Sequence, residues 1–201
     1  MRNRKRNIAN NSYYHITNRG VAKRTTFLDE EDYKMFLTLM RKGCLKYEVR
    51  LIAFCLMPNH FHLLACCSEG KDLSLCLQWI TSIYAKYFNR RYGRRGHLWQ
   101  DRFYAKRIKD GLHLGVCWRY VEQNPVRANL IGKTYEWKWS SAYCRRFGHN
   151  TRYLIEPHWW ETSIMSKWWS DDILDEDLLN KIRRSIRKSN MYDEDEEELW
   201  E

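Results

Sequence analysis

Two histidines and a tyrosine supply the chemistry this sequence can do. His60 and His62 stand in the run Pro58-Asn59-His60-Phe61-His62-Leu63-Leu64, which follows an apolar stretch from Leu51 to Leu56 and leads into Ala65-Cys66-Cys67. The flanking residues read as two strands broken at Pro58-Asn59. Side chains alternate along a strand, so His60 and His62 leave one face about 6–7 Å apart while Phe61 and Leu63 leave the other. An imidazole pair at that separation can share one divalent ion. It also fits one half-buried and one solvated strand histidine, and the pair alone does not separate the two readings.

A second segment favours the ion. Tyr120 and Asn124 are four residues apart, so they share a face of any helix that runs through both. A phenol is a poor nucleophile at neutral pH because its pKa lies near 10; it needs a metal, a base or a polarised phosphate. The side-chain oxygen of Asn124 is a neutral hard ligand. With His60 and His62 it would complete a three-ligand site with positions left for a phosphate oxygen and water, a donor set that suits Mg2+ or Mn2+. Attack of Tyr120 on a DNA phosphorus would give a covalent 5′-phosphotyrosine and a free 3′-OH. That linkage keeps the phosphodiester energy, so a second 3′-OH could rejoin strands with no nucleotide cofactor.

Other residues compete for these roles. Tyr84, Tyr87 and Tyr92 sit on or beside a long helix near basic residues, but their spacing fits a core stripe and none has a ligand-type residue four places on. Cys66 and Cys67 follow His62 closely, and a mixed His/Cys zinc site is a minor alternative. His15, His97, His113, His149 and His158 have no partner pattern and read as structural.

The elements that must position these groups are legible from periodicity. Ser12 to Thr17, Glu48 to Leu56 and His60 to Cys66 read as strands, and a fourth lies within Leu98 to Ile108, through Phe103, Ala105 and Arg107. Asp29 is a plausible N-cap for a helix from about Glu30 to Lys46, and Asp72 for one from Leu73 to about Arg91. A third helix spans about Gly111 to Gln123 and ends near Asn124-Pro125. The order β-α-β-β-α-β plus one helix predicts an α+β fold: a ferredoxin-like antiparallel sheet with helices on one face and the other face open to a substrate. Residues 126–170 are irregular and rich in tryptophan, with packing onto the domain favoured over stacking on bases. A last amphipathic helix begins at Ser170 or Asp171. The chain divides into a catalytic domain over 1–145, an appendage over 146–190 and an acidic tail over 191–201, expected to be disordered.

Charge names the partner class. Of 201 residues 35 are Lys or Arg, for a formal net charge of +10. The last eleven residues hold seven acids, so residues 1–190 set 35 bases against 18 acids. A body this basic suits a polyanion, and nucleic acid first. Arg19, Arg90, Arg91, Arg94, Arg95, Arg102 and Arg107 are the candidates for contacts to a DNA backbone. No apolar core of a signal peptide follows the basic N-terminus, and the longest apolar run, Leu51 to Met57, is too short to cross a bilayer. Seven cysteines without a Cys-x-x-Cys pair read as reduced thiols of a cytoplasmic protein.

At these residues the chain resembles a known family. Pro58-Asn59-His60-Phe61-His62-Leu63-Leu64 is similar to the His-hydrophobic-His motif of single-tyrosine transposases. Tyr120-Val-Glu-Gln-Asn124-Pro125-Val126-Arg127 is similar to the nucleophile helix of REP-associated tyrosine transposases, relatives of the IS200-type enzymes. Tyr14-His15-Ile16-Thr17-Asn18-Arg19-Gly20 matches near the start, and a further block runs from Tyr87 through Gly96-His97-Leu98-Trp99-Gln100 to Phe103. The blocks keep the family's order and span about Tyr13 to Tyr143. The resemblance implies a bacterial, nucleoid-associated enzyme that nicks and rejoins single-stranded DNA beside a hairpin. It implies metal ligands at His60, His62 and Asn124 and a nucleophile at Tyr120. Two other readings stay open: a sheet that grips hairpin nucleic acid without cutting it, and a metal-dependent nuclease that uses water.

Overall fold

The computed structural model describes residues 8–109, 111–148 and Asn180. The expected last helix, the acidic tail, His149, His158 and the tryptophans from Trp159 onward lie outside the described residues.

Asp29 starts the first helix. Its carboxylate accepts from the backbone N–H groups of Glu31 and Asp32, satisfying donors that the first helical turn leaves without partners. The helix, α1 (Glu30–Lys46), follows β1 (Ser12–Arg19) and precedes the hairpin of β2 (Arg50–Met57) and β3 (His60–Cys67). Next come α2 (Gly70–Arg91) and the short β4 (Tyr104–Arg107). Helix α2 begins before Asp72, with Glu69 at its N-cap making no side-chain capping bond, so the expected start was two to three residues late.

The strands form one antiparallel sheet in the order β2-β3-β1-β4, the ferredoxin-like arrangement. One face of the sheet meets α1 and α2. Tyr14 and Ile16 of β1 and Phe61, Leu63 and Ala65 of β3 pack there with Phe36, Met40, Leu77, Ile80, Tyr84 and Phe88. Residues alternate strictly, so Tyr13, His15, Thr17, His60, His62 and Leu64 turn to the opposite face.

That opposite face is not open, which corrects the expectation of helices on one side only. Helix α3 (Gly111–Arg127) crosses it, and Leu114, Val116, Cys117, Trp118, Tyr120 and Val121 pack on Ile52, Ala53, Cys55, Met57 and Leu64. The physical reason is in β2, which beyond Arg50 is apolar on both faces and cannot leave either wet, joined by Leu64 of β3. A short helix, α4 (Ser141–Phe147), closes the described chain, and Ser140 caps it by accepting from the N–H of Tyr143.

Helix α3 also passes through Pro125 instead of ending before it. The proline removes one N–H donor, but the ladder resumes when Ala128 donates to the carbonyl of Asn124. Asn129, at φ 54°, then ends the helical path.

The segment before α4 covers the outer edge of β2. Leu56 donates its N–H to the carbonyl of Trp139, and the Trp137 indole donates to the carbonyl of Leu56. Trp139 stacks on Tyr33 with ring centroids 4.6 Å apart. These two tryptophans pack on the domain, as their residue type favoured, and protect a sheet edge that would otherwise template pairing.

Candidate active site

The turn between β2 and β3 is pinned before any side chain is placed. The carbonyl of Pro58 accepts from the N–H of Thr26 and of Phe27, and the carbonyl of Asn59 accepts from Gly20. Gly20 has to be glycine, because a Cβ there would strike the carbonyl oxygen of Arg24. Ala22 and Lys23, at φ 53° and 58°, bend the same loop through the left-handed region, at a cost in backbone strain. The Asn59 amide nitrogen donates to the carbonyl of Lys23 at 3.0 Å. That fixes the amide, so its Oδ1 faces Nδ1 of His60 at 2.6 Å. An amide oxygen only accepts, so His60 carries its proton on Nδ1 and keeps a lone pair on Nε2.

His60 and His62 lie with ring centroids 5.0 Å apart at an interplanar angle of 83°. Tyr120 comes to them from α3, its ring centroid 5.6 Å from that of His62. The fold therefore brings the strand histidines and the helix phenol to one face of the sheet. Asn124 stands one turn on from Tyr120 and donates its side-chain N–H to the Tyr120 carbonyl at 2.8 Å. With its nitrogen engaged, Oδ1 is the end of the amide able to meet a cation.

Two residues at this site were missed by sequence reasoning. His15 is 2% exposed, and its Nε2 is 3.0 Å from Nδ1 of His62. Its ring lies nearly parallel to that of His62, with centroids 5.2 Å apart, and edge-on to Tyr120 at 5.6 Å. Pairing explains the placement: Thr17 stands opposite His62 in the β1–β3 ladder, which puts His15 on the diagonal. The available signal was the alternation of Tyr13, His15, Thr17 and Arg19, usable only once β1 is known to pair with β3. The second missed residue is Arg127, whose guanidinium lies 4.6 Å from the centre of the Tyr120 ring. It follows Tyr120 by two helical turns, a relation hidden by the expectation that the helix stopped at Pro125.

Burial keeps these imidazoles neutral. It lowers the pKa of His60 to about 4, with Arg19 adding to the effect, and that of His15 to about 3, with His113 adding. His62 is held well below its ordinary value by burial first, then by His60, His15, Arg127 and Arg19. Neutral imidazoles have the lone pairs that ligation needs. No cluster of three or more His, Cys, Asp or Glu side chains able to hold an ion occurs among the described residues. A metal here would rest on two imidazoles and the Asn124 oxygen, a set that fits one hard divalent ion with open positions. Cys66 stands four residues along β3 from His62, roughly 13 Å at strand rise, so the two do not share an ion and the mixed His/Cys alternative loses its basis.

The rival tyrosines sit across the sheet. Tyr84 is fully buried in the α1/α2 core, where its hydroxyl donates to the carbonyl of Thr26 at 2.6 Å. Tyr92 donates to Asp32, and Tyr87 accepts from Arg91.

The arginines divide. Arg19 ends β1 directly opposite His60. Its carbonyl accepts from Gln100, and Leu98 accepts from Val21, so the loop after α2, with Arg94, Arg95 and Arg102, is stitched to the His60 end of the sheet. Arg90 is exposed near the end of α2. Arg107 pairs with Tyr14, five residues back along β1 from Arg19, and so lies roughly 17 Å away along the strand. Arg91 is engaged with protein: it binds Asp29 and Asp32, each at 2.6 Å, and clamps the end of α2 to the start of α1. That ion pair corrects its assignment to DNA, since two carboxylates already hold its fork. No described helix is long and apolar enough to cross a membrane.

Comparison with known proteins gives the chain its family. The profile of the family described as "Transposase IS200 like" matches residues 8–124. A protein of Haemophilus influenzae that carries the name REP-associated tyrosine transposase is 24% identical over 135 residues, covering 62% of this chain and 74% of its own. The solved structure of a REP-associated tyrosine transposase bound to a REP hairpin shares the fold at a TM-score of 0.60 and 20% identity, covering 78% of this chain and 93% of that one. The family match takes in β1, the histidine pair of β3 and α3 as far as Asn124, and on that match the chain belongs to the IS200-like transposase family.

Proposed function

We propose that this protein nicks and rejoins single-stranded DNA beside a hairpin through a covalent bond to Tyr120, with a divalent metal at His60, His62 and Asn124. The observation that carries the reading is the approach of the Tyr120 ring to the His62 ring, 5.6 Å between centroids, on a face where burial keeps both strand histidines neutral. The similar solved protein is bound to a REP hairpin, which makes hairpin DNA the first substrate to try.

When bound, Mg2+ or Mn2+ would polarise the scissile phosphate and favour charge on the departing 3′ oxygen. The chain's own groups do the rest. His60 and His62 would hold the ion through ring nitrogens, and Asn124 through its neutral oxygen. The Tyr120 hydroxyl loses its proton and bonds to phosphorus, the bond from phosphorus to the 3′ oxygen breaks, and that oxygen takes up a proton. Arg127, over the Tyr120 ring, places positive charge where phenolate and phosphate carry negative charge. Attack of another strand's 3′-OH on the phosphotyrosine releases Tyr120 and reseals the DNA. Arg19, Arg94, Arg95 and Arg102, at the His60 end of the sheet, hold the backbone, and Arg90 extends that contact; Arg107, paired with Tyr14, leaves the sheet on the opposite face, which corrects its assignment to the same DNA contact.

Incubation with end-labelled hairpin DNA and Mn2+, followed by a denaturing protein gel, tests the reading. Label that migrates with the protein and disappears in Tyr120→Phe supports it. Cleavage without attachment points to a water nuclease, and binding without cleavage to a hairpin-binding module.

A further inference from the structure

We propose that His15 is a positioning residue that fixes the tautomer of His62, so that the pair on β3 presents two lone pairs to one ion. The inference rests on the metal reading above and assigns a role that neither the ligand set nor the nucleophile contains.

The two strand histidines face the same requirement. A neutral imidazole ligates through one nitrogen only if its proton sits on the other. For His60 this is settled by Asn59, whose amide is turned by the Lys23 carbonyl so that its oxygen accepts from Nδ1. For His62 the equivalent nitrogen, Nδ1, faces Nε2 of His15 at 3.0 Å. One proton lies between them. If it belongs to His62, His62 Nε2 is a lone pair, matching His60. If it belongs to His15, His62 carries its proton on Nε2 and cannot ligate there. His15 acts as the acceptor, with its own proton on Nδ1. Outer partners of this kind orient ligand rings in metal sites generally, and losing one weakens metal affinity about 10–100-fold.

The setting suits the task. His15 is 2% exposed and held at a fixed register by β1–β3 pairing, with its ring against both His62 and Tyr120. It lies on the strand beside the ligands, so it acts on the ion through His62. Its place in the molecule is distinct from that of Asn59, which reaches His60 from the hairpin turn.

The test uses the full chain without DNA. Mn2+ binding is measured by electron paramagnetic resonance for the wild type, His62→Ala, His15→Phe and His15→Gln. Phe keeps a flat ring but accepts nothing; Gln places an acceptor oxygen near the position of Nε2. His15→Phe should bind Mn2+ about 10–100-fold more weakly. His15→Gln should recover most of that loss, and affinity for metal-free hairpin DNA should be the same in the wild type and the two His15 variants. Long-range proton–nitrogen spectra of the metal-free wild type should show the His62 proton on Nδ1. A His62 proton on Nε2 overturns the proposal even where a variant fails to fold. Weakened His62→Ala beside unweakened His15→Phe overturns it alone. Unweakened His62→Ala overturns the metal reading beneath it.

Discussion

The two faces of β3 solve different problems with alternate residues of one strand. Phe61 and Leu63 enter a core of rings and aliphatic chains, where the fully buried Tyr84 has its hydroxyl bound to a backbone carbonyl. On the other face His60 is half-buried and His62 buried, and their polar partners are an asparagine turned by a backbone carbonyl and another histidine. The first face spends burial on stability. The second spends it on keeping imidazoles neutral and aimed. Deep burial of a polar cluster beside an ordinary core is where sequence economy gives way to chemistry.

The sharpest way to break the comparison is to remove one hydroxyl from each face. Tyr120→Phe should abolish DNA cleavage and covalent attachment, a loss on the order of 10³-fold or more, with little change in melting temperature. Tyr84→Phe should leave cleavage intact and cost about 1–2 kcal/mol, because the Thr26 carbonyl loses its buried donor. A second pair sits side by side on the strand. Phe61→Ala should destabilise by about 3–5 kcal/mol in urea unfolding through the cavity it leaves. His60→Ala should cost about 1 kcal/mol or less yet remove cleavage while keeping most hairpin affinity.

The helix that carries Tyr120 has its own anchor. Glu122 accepts from Ser141 and pairs with Arg145 at 2.6 Å, with side chains 5% and 14% exposed, and Arg145 also donates to the carbonyl of Ile52. Glu122→Ala should therefore cost about 3 kcal/mol, read as a shift of the urea midpoint, since it strands a buried guanidinium.

The histidine layer also predicts a pH dependence. Unfolded histidines take up protons below about 6.5, whereas His60 waits until about 4 and His15 until about 3. Between those limits the unfolded chain binds more protons, so stability falls as pH drops from 6.5 towards 4, by up to about 1.4 kcal/mol per pH unit for each such group. His15→Gln should flatten the slope of urea midpoint against pH in that window. The smallest contrast is between arginines. Arg95→Ala should lower hairpin affinity and reduce its salt slope by about 1. Arg91→Ala should leave the slope unchanged and lower the urea midpoint slightly, because its partners are Asp29 and Asp32.

Much of this was legible because local rules agree with the fold. The Asp29 cap, the Pro58-Asn59 break and the alternation around His60 and His62 are short-range signals, and each appears in the structure where its residues place it. What escaped was set by pairing and packing. His15 stands in the matching block near the start, but nothing local to that block gives it a role; the β1–β3 register puts it against His62. The path of α3 through Pro125, and with it the approach of Arg127 to Tyr120, depends on tertiary contacts that outweigh a residue's usual preference. Arg91 had the right charge for DNA, but the two carboxylates that hold it come from the start of α1, about sixty residues earlier.

The proposed chemistry turns on a covalent bond between Tyr120 and DNA. The direct measurement is mass spectrometry of peptides after reaction of the full chain with a hairpin oligonucleotide and Mn2+, followed by nuclease trimming and proteolysis. A nucleotide 5′-phosphate is expected on the peptide that contains Tyr120 and on no other tyrosine peptide. The same adduct on a peptide holding Tyr84, Tyr87 or Tyr92, or cleaved DNA with every tyrosine unmodified, would contradict it.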